Sequence, residues 1–126
     1  MAAKILIVDN HQEFRGIVKD YLLKQNLGME IFEASTGEMG VAKASCIKPD
    51  IVLMDINLPH TNGIVAAKHI MEEHPDCDVI ILTMFEVKAF KQVSNKIKAR
   101  DFIGKSEVYE KLVPVIKKCL KRKGEK

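Results

Sequence analysis

Cysteine is scarce and poorly placed for covalent or metal chemistry. Cys46, Cys77 and Cys119 are odd in number, far apart and without a C-x-x-C pair, so neither a disulfide framework nor a zinc site is expected, and a reducing cytoplasm is the expected setting. No apolar stretch approaches the roughly 20 residues of a membrane span. Met1-Ala2-Ala3-Lys4 leads directly into an apolar run, so no signal peptide is expected. Charge of one sign is also in short supply. The formal net charge is +3, too small to argue for nucleic acid, and much of it lies at Lys117, Lys118, Lys121, Arg122, Lys123 and Lys126. There it reads as a solvated helix end whose cations complement the helix dipole. The chain has no repeat, no low-complexity segment before that end, no Gly-rich phosphate loop and no second acidic cluster. These absences count against a true enzyme such as a metal-dependent phosphatase. His11, His60, His69 and His74 lack metal-ligand spacing and read as exposed or half-packed residues.

What is present is a series of apolar runs, each stopped by a reactive or charged group. Ile5-Leu6-Ile7-Val8 ends in Asp9, Ile51-Val52-Leu53-Met54 in Asp55, Val79-Ile80-Ile81-Leu82 in Thr83, and Phe102-Ile103-Gly104 in Lys105. Each run has the length and β-branched content of a buried parallel strand. Helical patterns alternate with them. The first carries Phe14, Ile17, Val18, Tyr21 and Leu22 on one face, with Asn10 as its expected N-cap and Gly28 as its stop. Ile31-Phe32-Glu33-Ala34 reads as a short strand, and Ser35-Thr36-Gly37-Glu38 as a capping box opening a helix that Pro49 closes. A third helix follows Leu58-Pro59-His60-Thr61-Asn62-Gly63 and ends before Pro75. A fourth, with a sparse apolar face, is expected over 86–97. The last helix, with Leu112, Val113, Ile116 and Leu120 inward, either begins just before Pro114 or kinks there. The 126 residues thus describe one α/β domain, (βα)5, with a parallel sheet covered on both faces. It is expected over 1–122, with 123–126 a basic tail or the start of a linker.

Ligands bind such sheets at the carboxyl edge, where all four chemical groups gather. Asp55, backed by a dry core, can ligate a hard cation such as Mg²⁺ or attack phosphorus to give an acyl phosphate. Asp9 can share the metal, and the backbone carbonyl of Asn57 is a third oxygen. Lys105 supplies positive charge to phosphoryl oxygens and Thr83 a hydroxyl donor.

The four runs at their spacing, together with Asn62-Gly63, resemble the receiver domains of two-component response regulators, the CheY-like family, over residues 4–122. The resemblance implies a flavodoxin-like three-layer sandwich with strand order 2-1-3-4-5. It implies Asp55 as phosphoacceptor, Asp9 as an acidic-pocket residue, Thr83 as switch hydroxyl, Phe102 as switch aromatic and Lys105 as phosphoryl contact. A histidine kinase or phosphotransfer protein is the implied donor. The output surface is the face of the fourth helix, fifth strand and last helix, through which a homodimer can form, and a DNA-binding output domain outside this chain is a further implied partner. The chain departs from the family in several places. Asn10 stands where the family has a second acidic residue that ligates metal, so weaker Mg²⁺ binding and slower phosphotransfer are expected. Phe102 has no hydroxyl, Met84 replaces a small residue, Ser106 replaces a frequent Pro, and Lys98 replaces a frequent Gly. The Asn10 departure motivates an alternative, a receiver that acts as an interaction module without phosphorylation.

Overall fold

The computed structural model describes residues 2–58, 62–84 and 98–124. The helix expected over 86–97 lies outside them, as does the centre of the loop after Asp55. Five strands form one sheet: β1 (Ala3–Val8), β2 (Met29–Ala34), β3 (Ile51–Asp55), β4 (Asp78–Thr83) and β5 (Asp101–Gly104). They run parallel in the order β2-β1-β3-β4-β5. Helices α1 (Gln12–Lys24), α2 (Gly37–Ile47), α3 (Gly63–Glu73) and α4 (Val108–Gly124, the last helix of the sequence reading) complete the described architecture, with a 3-10 turn over Lys105–Glu107.

The inner strands β1, β3 and β4 are mostly apolar because both sheet faces are covered there, whereas the edge strand β2 carries Glu30 and Glu33. Alternate residues point to opposite faces, and the core divides accordingly. Ile5, Ile7, Leu53, Ile80, Leu82 and Ile103 pack with Val18 and Leu22 of α1 and with Leu112, Ile116 and Cys119 of α4. Leu6, Val8, Val52, Met54, Val79 and Ile81 pack with Ala44 of α2 and with Ala66, Ala67 and Ile70 of α3.

Several local expectations need correction. Asn10 is not the cap of α1. His11 holds that position and its side chain makes no cap bond; the Asp9 carboxylate folds back to accept the His11 backbone N–H at 2.8 Å. Gly28 does not end α1, which stops at Lys24; its φ of +66° instead turns the chain into β2. The cap of α2 is Thr36, whose side-chain oxygen accepts from the Met39 N–H at 3.1 Å, so the capping box is out of register by one residue. Ile17 is 48 % exposed rather than inward. Helix α4 starts at Val108 and includes Pro114. Its buried stripe takes in Cys119, while Leu120 is only half-buried.

Candidate functional site

Parallel pairing brings the carboxyl ends of β1, β3, β4 and β5 to one edge. Asp55 is the last residue of β3, in register with Leu82, and Thr83 pairs with Gly104, one residue before Lys105. Asp9, directly after β1, and Asp55 are both buried, at 0 % and 1 % exposure.

Asp9 is held rigidly. Its backbone N–H donates to the Ala34 carbonyl at 3.0 Å. Its own carbonyl accepts from Arg15 Nη1 at 2.6 Å, while Arg15 Nε donates to Glu33 Oε1 at 3.1 Å. A guanidinium on α1 therefore ties the end of β1 to β2. Asp9 Oδ1 accepts from the His11 N–H and lies 3.3 Å from His11 Nδ1. Asp55 Oδ1 accepts from the Asn57 N–H at 3.3 Å.

The Oδ2 atoms face a shared space. Both are buried and accept no hydrogen bond of good geometry. Lys105 Nζ approaches them as an ion pair, 2.7 Å from Asp9 Oδ2 and 3.4 Å from Asp55 Oδ2. The ammonium is itself largely enclosed and sits 4.5 Å from the centre of the Phe14 ring, whose π face supports the charge. Burial pushes the Asp55 carboxyl above its ordinary value, and the Asp9 charge adds to that; Lys105 and the Asn57 N–H act in the opposite direction. The pocket thus holds two carboxylates that one lysine does not fully balance. Its oxygen donors and excess negative charge fit a hard divalent cation such as Mg²⁺.

Of the residues singled out in the sequence, Asp9, Asp55 and Lys105 come together in this pocket. Thr83 is buried at the adjacent strand end. Asn57 is exposed at the rim, and Asn10 is also exposed. Phe102 is half-buried and packs on the α2/α3 side of the sheet. The sequence reading did not single out Arg15 as the clamp on Asp9, Phe14 as the platform under Lys105, or His11 at the pocket mouth. Arg15 and Phe14 carry a weak signal, lying in the first turn of the helix that follows Asp9.

A doubly wound parallel sheet in this order, with an acidic pocket at its carboxyl edge, defines the CheY-like class of signalling domain. The chain belongs to the response regulator receiver domain family, whose profile matches residues 5–117. It is 36 % identical to the chemotaxis protein CheY of Thermotoga maritima over 122 residues, covering 96 % of this chain and 100 % of that protein. It is 29 % identical to the transcriptional regulatory protein DegU of Brevibacillus brevis, covering 90 % of this chain but only 48 % of that longer protein. Among solved structures, the response regulator TrrA of Thermotoga maritima, in complex with Mg(2+)-BeF, superposes with a TM-score of 0.82 at 28 % identity, over 93 % of this chain and 98 % of that one. Among the described residues, no helix is long and apolar enough to cross a membrane.

Proposed function

We propose that this receiver is a phosphoacceptor switch with Asp55 as its acceptor, over a domain spanning 1–122. The observation that carries the reading is Lys105 Nζ reaching both Asp9 Oδ2 and Asp55 Oδ2 inside one buried pocket at the carboxyl edge. A carboxylate oxygen of Asp55 attacks the phosphorus of a phosphohistidine on a histidine kinase or phosphotransfer protein. The P–N bond breaks, its electron pair stays with the imidazole, and an acyl phosphate forms. Lys105 follows the phosphoryl oxygens, and Thr83 donates its hydroxyl to them. Asp9, Asp55 and the Asn57 carbonyl would hold Mg²⁺, with Asn10 a weak neutral donor. When bound, the ion neutralises charge on the phosphoryl group. Water attacking in line at the same phosphorus breaks the P–O bond to Asp55, which returns as the carboxylate, and inorganic phosphate leaves. Movement of Thr83 toward the phosphoryl group leaves room for Phe102 to follow, and the output face changes its preference for a partner.

The test is an amide NMR titration with Mg²⁺ and then beryllofluoride, an acyl-phosphate mimic, on wild type and Asp55→Asn. Shifts at Asp9, Asp55, Thr83 and Lys105 that spread to Phe102 and α4, and vanish in the variant, are expected. A wild type unresponsive at high Mg²⁺ would favour the second reading, a receiver that binds its partner without phosphorylation. Asn10 is the observation behind that alternative.

A further inference from the structure

We propose that His11 is a metal ligand in this chain, making the pocket a mixed carboxylate–imidazole centre that prefers a first-row transition ion such as Mn²⁺ to Mg²⁺. The inference rests on the reading of Asp9 and Asp55 as a cation site and adds the nitrogen donor that sets its selectivity. Donor atoms of Asp9, His11 and Asp55 all lie within 4.8 Å of one another. Donors around an octahedral ion with bonds of about 2.1 Å stand about 3.0 Å apart when cis and about 4.2 Å when trans, so side-chain rotation has to draw the three donors in around the ion.

The backbone delivers the imidazole. His11 is the N-cap of α1, at φ −87° and ψ 103°, and its N–H bonds Asp9 Oδ1 at 2.8 Å. That short ring folds the His11 side chain back over the carboxylate and brings Nδ1 to 3.3 Å from the same oxygen. With the ring proton on Nδ1 this contact is a hydrogen bond to the carboxylate; with the proton on Nε2 the Nδ1 lone pair is free to ligate an ion that Asp9 also holds. The buried Oδ2 atoms of Asp9 and Asp55 meet no geometric hydrogen bond and share the single ammonium of Lys105, at 2.7 and 3.4 Å, so the carboxylate pair keeps a charge that a further cation can balance.

The chemistry follows from the donor set. Asn10 is exposed and contributes at best a neutral amide oxygen. Mg²⁺ gains little from an imidazole, since it takes oxygen ligands and gives up water reluctantly. Imidazole suits later first-row ions such as Fe²⁺, Ni²⁺ and Zn²⁺, and Mn²⁺ is the member of that row that keeps the preference for carboxylate and water which Asp9 and Asp55 impose. A pocket that has an amide at the second acidic position and an imidazole one residue later therefore moves along the metal series toward Mn²⁺.

The probe is Mn²⁺ itself, titrated into wild type, His11→Ala, His69→Ala and Asp55→Asn, with binding read from the free-ion EPR signal and ligation from ¹⁴N coupling in pulsed EPR. His11→Ala keeps the backbone bond to Asp9 and removes only the ring, and thermal melts check that each variant is folded. Wild type is expected to show imidazole nitrogen coupling, which persists in His69→Ala and disappears in His11→Ala. Mn²⁺ affinity falls about tenfold or more in His11→Ala, while the Mg²⁺ concentration that half-displaces Mn²⁺ falls in step. Mn²⁺ bound in an Asp55-dependent way without nitrogen coupling would leave the cation site standing and overturn the role of His11. No Asp55-dependent binding would overturn both.

Discussion

Of the glycines in the described helices, Gly16, Gly40 and Gly63 differ in what surrounds them, and replacing each by alanine gives effects whose order the structure fixes. At Gly16, within α1, a Cβ meets nothing within 4 Å. The substitution removes only the entropic cost of glycine in a helix, so Gly16→Ala is expected to stabilise by about 0.5–1 kcal/mol. At Gly40 in α2, a Cβ lands 2.9 and 3.0 Å from the two γ-methyl carbons of Val8. A side chain can yield by a few tenths of an ångström, so the strain and the propensity gain offset one another to within about 1 kcal/mol.

Gly63, the first residue of α3, differs in kind. A Cβ there stands 2.0 Å from the carbonyl oxygen of Asp55 and 2.7 Å from the Ile56 Cα, against a practical floor of 3.0 Å for real Cβ contacts. The obstructing atoms are backbone, so no rotamer change relieves the overlap. The start of α3 must move about 1 Å from the end of β3, straining the bond from the Gly63 N–H to the Ile56 carbonyl, now 3.0 Å long. Overpacking of side chains costs about 1–3 kcal/mol, so a backbone collision of this depth should cost at least about 3 kcal/mol. Equilibrium urea unfolding of the three variants measures the series, and Gly63→Ala should also melt roughly 10 °C or more below wild type. A Gly63→Ala protein within about 1 kcal/mol of wild type would refute the claim that this glycine lets α3 close against the end of β3.

Two further predictions concern buried carboxylates at opposite edges of the sheet. Because burial and Asp9 raise the Asp55 carboxyl above its ordinary 3.8, the folded state holds that proton more tightly than the unfolded chain. Stability linked to Asp55 therefore rises as pH falls through the folded value and levels off near 3.8. Asp55→Asn should be about 1 kcal/mol more stable than wild type at pH 7, with the gap closing on acidification toward pH 4; melts at several pH values would expose a gap of the wrong sign or one that does not close. At Asp78, burial favours the neutral form, but hydrogen bonding from Arg122, with Lys123 and Arg100 nearby, leaves the carboxyl below 3.8. Its contribution is present above that value and lost as pH falls through the lower folded one, so Asp78→Ala should cost about 2 kcal/mol at pH 7 and progressively less below pH 4. An equal loss at pH 7 and pH 3 would show that the ion cluster is not its source.

The sheet and much of the pocket were legible because parallel strands convert one-dimensional pattern into three-dimensional position. Where every apolar run is a strand pointing the same way, the residues that end them must share an edge, whatever the loops do. Asp9, Asp55 and Lys105 needed no further information to be placed together. Features that depend on side-chain competition or distant pairing were not legible. Asn10 is the better cap by residue type, and the outcome turns instead on the Asp9 carboxylate taking the His11 N–H. Thr36 and Ser35 compete for one cap, and only the helix register decides between them. Asp78 was not singled out, because its partners Arg100 and Arg122 lie 22 and 44 residues away.

The contrast between the two edges says where function resides. At the amino edge, Asp78 is 5 % exposed and lies within ion-pairing distance of three cations: Arg122 at 2.6 Å, Arg100 at 3.2 Å and Lys123 at 3.9 Å. Lys123 also bonds the Asp76 carbonyl, tying the end of α4 beneath the sheet. Three cations surround the Asp78 carboxylate, and the cluster holds the layers together. At the carboxyl edge the ratio is inverted, with two fully buried carboxylates sharing Lys105 among the described residues. A buried charge left short of partners costs stability, and a fold able to balance Asp78 so completely shows what a purely structural arrangement looks like. The shortfall at Asp9 and Asp55 is the kind a bound cation makes good. Ligand occupancy should therefore raise the melting temperature of wild type, and Asp55→Asn should abolish that gain while itself melting higher in the absence of metal.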